Sequence, residues 1–508
     1  MTRPTGFRIL GVQHVSLPIE PGGQDLARSF YVDLLGLPEK PVPPTLPQHL
    51  VWVDAGSQEL HLLVEDDAVD LNPRSRRHPC LEVDDVTALR ATLDANRPAA
   101  LLRARPVRQP DRVRHVRGRG VRAVVLRAEW APRDDESGRF DSRDPERRIA
   151  PRANRTWRDP VFTLETRPDP APSHDLVVIR VRACGICGSD VHLHERDADG
   201  YMVYPGMVGT PVTTGHEFSG TVEAIGPDVV DVAIGDPVCA EEIAWCGECL
   251  ACRSGLPNNC TRLEELGFTF DGAHADLVAV RARYVWSLRP LLDAGIAQPR
   301  LFHLGALVEP ASVAFIGLFV TAGGFLPGST VGVAGAGPIG LAAIALAHAA
   351  GASRVVAVEP SAARRQLALA MGADAAHDPR ELGPDGFADI ARETTRGRGI
   401  DRWVEASGAR GVAERMAATL APGGRVVLIG RGPHTIELDP EHLIVRGASM
   451  AGSIGHSGSG AFGRVIELMA AGRLPMDRIV SDTVPLDGMV AALERLRDRE
   501  AGKTIVEP

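Results

Sequence analysis

Residues 329–360 read STVGVAGAGPIGLAAIALAHAAGASRVVAVEP, and this stretch decides the fold. A short β-rich run ends at Ala334, Gly335-Ala336-Gly337-Pro338-Ile339-Gly340 follows, an Ala-rich helix comes next, and a second strand ends at Glu359. A lone G-x-G-x-x-G carries little weight. With a strand before it and a helix after it, the pattern is the phosphate-binding turn of a βαβ unit. Gly335 permits the tight turn, Gly337 lets the backbone approach a pyrophosphate, and Gly340 lets helix and strand pack closely. Pro338 suits the first helical turn, where its missing N–H has no partner to lose. The helix N-terminus attracts the diphosphate. Glu359 ends the second strand 19 residues after Gly340. A carboxylate there accepts hydrogen bonds from a ribose diol and repels a 2′-phosphate, so NAD is expected over NADP. Arg364 and Arg365 follow closely; one of them is expected to pack on the adenine or to be solvated.

Working outward, the residues from about 310 alternate strand and helix as in an open parallel sheet. Residues 121–309 read instead as β-strands broken by Gly and Pro, among them "VRAVVLRAEW", "DLVVIRVRACGICGSD", "EFSGTVEAIG" and "HADLVAVRARYVWSL". The chain is 508 residues long, enough for two to four domains. Its net charge of -9 and its 5% aromatic content argue against a general nucleic-acid or anionic-membrane binder. No apolar run reaches the roughly 18 residues of a membrane span, and "IGLAAIALAHAAGA" reads as a buried helix. No basic n-region joined to an apolar segment marks a secretory signal, so the cytoplasm is the expected location.

Seven of the 8 cysteines lie between Cys184 and Cys260, and in a cytosolic chain such a cluster points to metal rather than disulfides. Cys246, Cys249, Cys252 and Cys260 have the spacing C-x2-C-x2-C-x7-C. Four thiolates satisfy tetrahedral Zn²⁺ and leave no position for substrate, so this site is read as structural. A second constellation is dispersed along the chain: Cys187 in "CGSDVH", His216 and Glu217 in "GHEFSG", and Glu309 in "LVEPASVA". One thiolate, one imidazole and one or two carboxylates make a borderline-soft site with room for water or substrate.

Taken in order, CGSD-x-H, GHE, the four-cysteine lobe, VEP and the glycine fingerprint resemble the zinc-dependent medium-chain dehydrogenases over residues 121–508. The VEP, together with "GYMVYPGMVGTPVTTGHEFSG" and "GSIGHSG", is similar to the polyol and cyclitol branch of that family. The resemblance implies an α/β multidomain chain: a GroES-like, β-rich zinc catalytic domain (121–309), a Rossmann NAD-binding domain with a doubly wound parallel sheet (310–452), and a C-terminal return to the catalytic domain (453–508). It also implies two Zn²⁺ per chain, one catalytic and one structural, NAD as cofactor, and a homodimer or homotetramer. The implied reaction oxidises a secondary hydroxyl of an inositol- or inosose-type ring to a ketone. Sorbitol-, threonine- or aminocyclitol-type substrates are the alternatives. The catalytic zinc falls to Cys187, His216 and either Glu217 or Glu309. Ser189 accepts the substrate proton and passes it, by way of the cofactor ribose, to His192. Asp190 is expected to support the site, Cys184 to be a packed neighbour of Cys187, and His194 and His456 to be surface or loop residues.

Residues 1–96 read as one α/β unit that resembles a truncated βαβββ module of the vicinal oxygen chelate (glyoxalase-like) family, with His14, His61 and His78 matching three of its four ligands by position. The fourth has no match, so the histidines are expected to sit on strands without a metal, and an independent glyoxalase, dioxygenase or ligand-binding activity is the reading from a different class. Residues 97–120 are Arg-rich and without apolar period, expected as a linker or a join between genes rather than a basic arm.

Overall fold

The computed structural model describes residues 120–131, 157–496 apart from positions 205 and 433, and 502–508; before residue 120 it describes positions 9–12, 16–19, 28, 32–33, 38–39, 51–55, 58–64 and 81–83. The chain divides into two compact units, Met1–Arg112 and Val113–Pro508. In the first, Ser16–Ile19 pairs parallel with Gln58–Val64, which pairs antiparallel with Val51–Ala55; Ile9–Val12 pairs with Leu81–Val83. His61 lies on Gln58–Val64, whereas His14, His78 and nearly all of the Arg-rich stretch lie outside the described residues.

In the second unit a six-stranded parallel sheet runs in the order Ala375–His377, Arg354–Val358, Thr330–Ala334, Ile400–Glu405, Leu420–Leu428, Ser449–Gly452. Numbered along the chain this is 3-2-1-4-5-6, the Rossmann order. Its direction reverses between Thr330–Ala334 and Ile400–Glu405, where ligands bind such sheets. All five residues of Thr330–Ala334 are buried, because a parallel sheet is covered on both faces and its strands are apolar throughout. Pro338–Ala349 is helical and buries Gly340–Ala347. Strand–helix alternation begins later than the sequence suggested: residues 300–321 are two successive helical segments, and the first strand of the sheet starts at Thr330. Among the described residues no single helix is long and apolar enough to cross a membrane.

A seven-stranded, mostly antiparallel sheet forms the other lobe, with Leu176–Gly185 at its centre between Glu217–Ile225 and Lys503–Glu507. The chain therefore returns to this lobe at its end: Ile505 and Val506 pair with Gly185 and Cys184 and are fully buried. Burying two such side chains contributes about 1.5–3 kcal/mol each, which fixes the last strand against the first lobe.

Candidate active site and metal centres

Leu176–Gly185 and Glu217–Ile225 pair antiparallel, with Glu217 opposite Gly185, so the end of one strand meets the start of the other. Cys187, His216 and Glu217 flank that junction, and one donor atom from each lies within 4.8 Å of the others. A Cβ on Gly185 would meet Glu217 Oε2 at 2.3 Å, so the absence of a side chain there lets the carboxylate in. Cys187 caps the helix Gly188–His194, and its N–H donates to Asp190 Oδ2 at 2.8 Å. Asp190 is fully buried and touches Cys187 through this hydrogen bond. His216 and Glu217 are 3% and 1% exposed, and the His216 ring centroid lies 4.7 Å from that of Phe268. Ser189 Oγ is 3.4 Å from His216 Nε2; His192 Nδ1 is 2.8 Å from Glu195 Oε2. No hydrogen bond joins Ser189 to His192 among the described residues.

Sequence reasoning missed Lys503. Its ammonium is buried, donates to Glu217 at 2.8 and 2.5 Å, and donates to the Ile186 carbonyl at 3.0 Å. Burial pulls its pKa down, but the Glu217 charge and hydrogen bond, with the Cys187 and Glu309 charges, together raise it. The one available signal was a lysine inside the apolar final strand, "KTIVE".

Glu309 lies in the helix Val308–Phe315 and is 7% exposed. It groups with Glu242 and His456 rather than with Cys187 and His216. Burial pushes its carboxyl up to about 7, against the opposing pull of His456. His456, expected as a surface or loop residue, lies on a loop but is completely buried, with Nε2 3.4 Å from Glu242 Oε1 and 3.6 Å from Glu309 Oε1. His194 also packs inward, its ring 5.6 Å from that of Phe162.

One sulfur from each of Cys246, Cys249, Cys252 and Cys260 lies within 4.8 Å of the rest. Backbone N–H groups of Glu248 and Cys249 donate to Cys246 Sγ at 3.4 Å, and those of Cys246 and Arg262 to Cys260 Sγ at 3.3 Å. Donation from the Cys252 and Thr261 backbone brings Cys249 down to about 5. Backbone donation thus favours the thiolate, the form that binds metal, at Cys246 and Cys249, while burial raises Cys252 and Cys260. All seven described cysteines are free. Cys184 is a fully buried strand residue whose thiol burial pushes well above its ordinary value.

At the glycine turn, Gly335 has φ +90°, and a Cβ on Gly340 would sit 1.8 Å from the Gly335 carbonyl oxygen. Gly337, by contrast, faces open space. Pro338 begins the helix, with Ile339 in its first turn. Glu359 is 4% exposed and accepts from the Ala336 N–H at 2.7 Å and the Ser361 N–H at 2.8 Å, so it also braces the turn. Arg364 donates its N–H to Ser361 Oγ at 3.4 Å. Arg365 is engaged: it donates to the Glu359 carbonyl at 2.8 Å and to Asp378 at 3.0 Å.

Two family models match: "Alcohol dehydrogenase GroES-like domain" over residues 173–290 and "Zinc-binding dehydrogenase" over residues 338–471. Scyllo-inosose 3-dehydrogenase of Thermotoga maritima is 42% identical over 389 residues, covering 74% of this chain and 97% of that protein. The chain belongs to the zinc-dependent medium-chain dehydrogenases. L-threonine 3-dehydrogenase of Bacillus subtilis is 31% identical to this dehydrogenase, covering 65% of the chain and 91% of that enzyme. Among solved structures, an alcohol dehydrogenase from Thermotoga maritima superposes with a TM-score of 0.71 at 41% identity, covering 76% of this chain and all of that one. A zinc-binding dehydrogenase from Sinorhizobium meliloti bound to NADP has a TM-score of 0.63 at 28% identity, covering 77% and 99%. Both donor sets of this dehydrogenase fit zinc chemically: thiolate, imidazole and carboxylate in one, four thiolates in the other.

Proposed function

We propose that this dehydrogenase oxidises a secondary hydroxyl of a polyhydroxylated ring, of the inositol or inosose kind, to a ketone. The 42% identity to scyllo-inosose 3-dehydrogenase over nearly that enzyme's full length carries this reading. In it, Cys187, His216 and Glu217 hold the catalytic zinc, with Glu309 the adjoining carboxylate. Cys246, Cys249, Cys252 and Cys260 hold a structural one. When bound, zinc supplies Lewis-acid polarisation of the substrate oxygen and the nicotinamide supplies the hydride acceptor. Ser189, on the first turn of the helix that Cys187 caps, takes the hydroxyl proton as it gives up its own. His192, half-buried and oriented by Glu195, delivers it towards solvent. Asp190 keeps Cys187 in place through its backbone N–H.

The turn Gly335–Gly340 and the N-terminus of the helix Pro338–Ala349 cradle the cofactor diphosphate. Glu359 favours NAD, because a 2′-phosphate would face a buried carboxylate already accepting two backbone N–H groups. A threonine-type substrate is the second reading, supported by the 31% identity to L-threonine 3-dehydrogenase. A cytoplasmic homodimer or homotetramer completes the proposal. The test is a panel of inositols, inososes, sorbitol, threonine and simple alcohols with NAD and with NADP, followed by the absorbance of the reduced nicotinamide. Oxidation of a cyclitol with NAD is expected to give the highest kcat/KM; threonine in that place would replace the reading.

A further inference from the structure

The four-cysteine lobe stands on a two-stranded antiparallel stem in which Ile243 pairs with Glu265 and Ala244 with Glu264. The stem carries two carboxylates to the catalytic cleft, one on each side of the lobe. Glu242 directly precedes its first strand; Glu265 lies on its second. Glu242 is 8% exposed, its Oε2 is buried without a partner, and its Oε1 faces His456 at 3.4 Å. The lobe also grips the loop that bears His456. Asn258 donates through Nδ2 to the Ser457 carbonyl at 3.0 Å and accepts from the Ser457 N–H at 2.9 Å. Glu265 lies within electrostatic reach of Glu242, His216, Arg431 and His456. Tyr204 stacks on Phe268 with ring centroids 5.0 Å apart, and Phe268 in turn packs on His216. These groups lie beside Cys187, His216 and Glu217, and Glu242 and His456 also group with Glu309, one donor atom from each within 4.8 Å of the others.

A polyol differs from a simple alcohol in the hydroxyls beside the reacting carbon. A buried acceptor without a partner discriminates for a substrate that supplies the missing donor, and against one that does not. Resting on the dehydrogenase reading above, we propose that Glu242, Glu265 and His456 read the hydroxyls next to the reacting carbon, and that the stem of the cysteine lobe positions them. The lobe then has a share in specificity as well as in stability.

The experiment compares kcat/KM within two pairs, butane-2,3-diol against butan-2-ol and myo-inositol against cyclohexanol, for wild type, Glu242→Gln, Glu265→Gln, His456→Asn and Asn258→Ala, with zinc content measured in parallel. The preference of wild type for the polyhydroxylated member is expected to fall by about 10- to 100-fold in the first three variants, mainly through KM. Asn258→Ala, which reaches the cleft only through Ser457, is expected to lower it several-fold. Equal losses on both members of a pair, an unchanged preference, a wild type without any preference, or loss of one zinc in Glu242→Gln would each overturn the proposal. If wild type prefers the diol but oxidises no inositol, the cyclitol reading fails while the butanediol pair still decides the hydroxyl-reading role.

Discussion

Three Cys-x-x-Cys pairs lie in this chain, Cys184–Cys187, Cys246–Cys249 and Cys249–Cys252, and the first behaves differently from the two in the lobe. In Cys246–Cys249 both sulfurs converge with Cys252 and Cys260 on one point. In Cys184–Cys187 only Cys187 reaches a site, while Cys184 is sealed in the core against Phe218 and Val506. The spacing is identical; the backbone beneath it is not. Cys246 and Cys249 sit on a loop whose N–H groups turn towards sulfur. Cys184 is still in a strand, and three residues later the chain has left the sheet and capped a helix with Cys187. A short motif acquires chemistry from the secondary structure on which it falls.

The largest effect expected from breaking this contrast is at the loop pair. Cys246→Ser removes one of four structural ligands. Since such zinc sites contribute about 10–16 kcal/mol of apparent binding free energy to ordering their loops, the variant is expected to be insoluble or to melt far below wild type by calorimetry. Cys187→Ser is expected to melt close to wild type, to hold one zinc fewer by elemental analysis, and to lose on the order of 10³-fold or more in kcat/KM. Full NAD-linked activity in Cys187→Ser would remove the catalytic assignment. Comparing Glu217→Gln with Glu309→Gln sharpens it: the first is expected to lose more zinc, and the reverse order would put Glu309 in the ligand set.

Next comes the ion pair that joins the final strand to this cluster. Lys503→Met leaves Glu217 buried without its cation, and removing one partner of a buried pair costs about 3–5 kcal/mol, measurable by urea denaturation in the Cys187→Ser background, which keeps the structural zinc. Near-native stability there would mean that Glu217 simply takes up a proton.

A smaller effect concerns pH. Burial first, and then the Glu242 charge, pushes Glu265 up to about 8 from an ordinary 4.5, although its carboxylate lies in a cleft that solvent partly reaches. The folded chain then keeps a proton that the unfolded chain has released, so this group's contribution to stability is full below about pH 4.5 and declines as pH rises through about 8. Glu265→Gln is expected to flatten that part of the stability profile in thermal melts from pH 5 to 9; an unchanged slope would assign the decline to other groups.

The Rossmann sheet was legible because strand, glycine turn and helix are contiguous, and local pattern suffices for contiguous elements. Cys187, His216, Glu217 and the four cysteines were legible because residue type and spacing name a metal. Lys503, Glu242, Glu265 and His456 were not. Lys503 lies 286 residues from Glu217 and meets it only through strand pairing at the sheet centre. Glu242 and Glu265 flank a motif that already explained its own neighbourhood. His456 looked like a loop residue because Gly and Ser surround it, yet Asn258 draws that loop inward. Contacts between distant segments carry no local signature, and the cleft wall is made almost entirely of them.

The smallest predicted effect is the most direct test of the opening contrast. If Cys184 acts only by packing, Cys184→Ala removes one buried sulfur from a full core and costs about 1 kcal/mol, in the range for small deletions, with kcat/KM and zinc content near wild type. A Cβ added at Gly215 would come within 2.9 Å of Cys184 Sγ, so the sulfur fills space beside the segment leading to His216. For that reason a modest rise in KM is compatible with packing alone. Loss of zinc is not, and neither is a new dependence of activity on thiol reductants in wild type that disappears in Cys184→Ala. Either result would show that the pair acts together after all and that the strand beneath Cys184 does not isolate it.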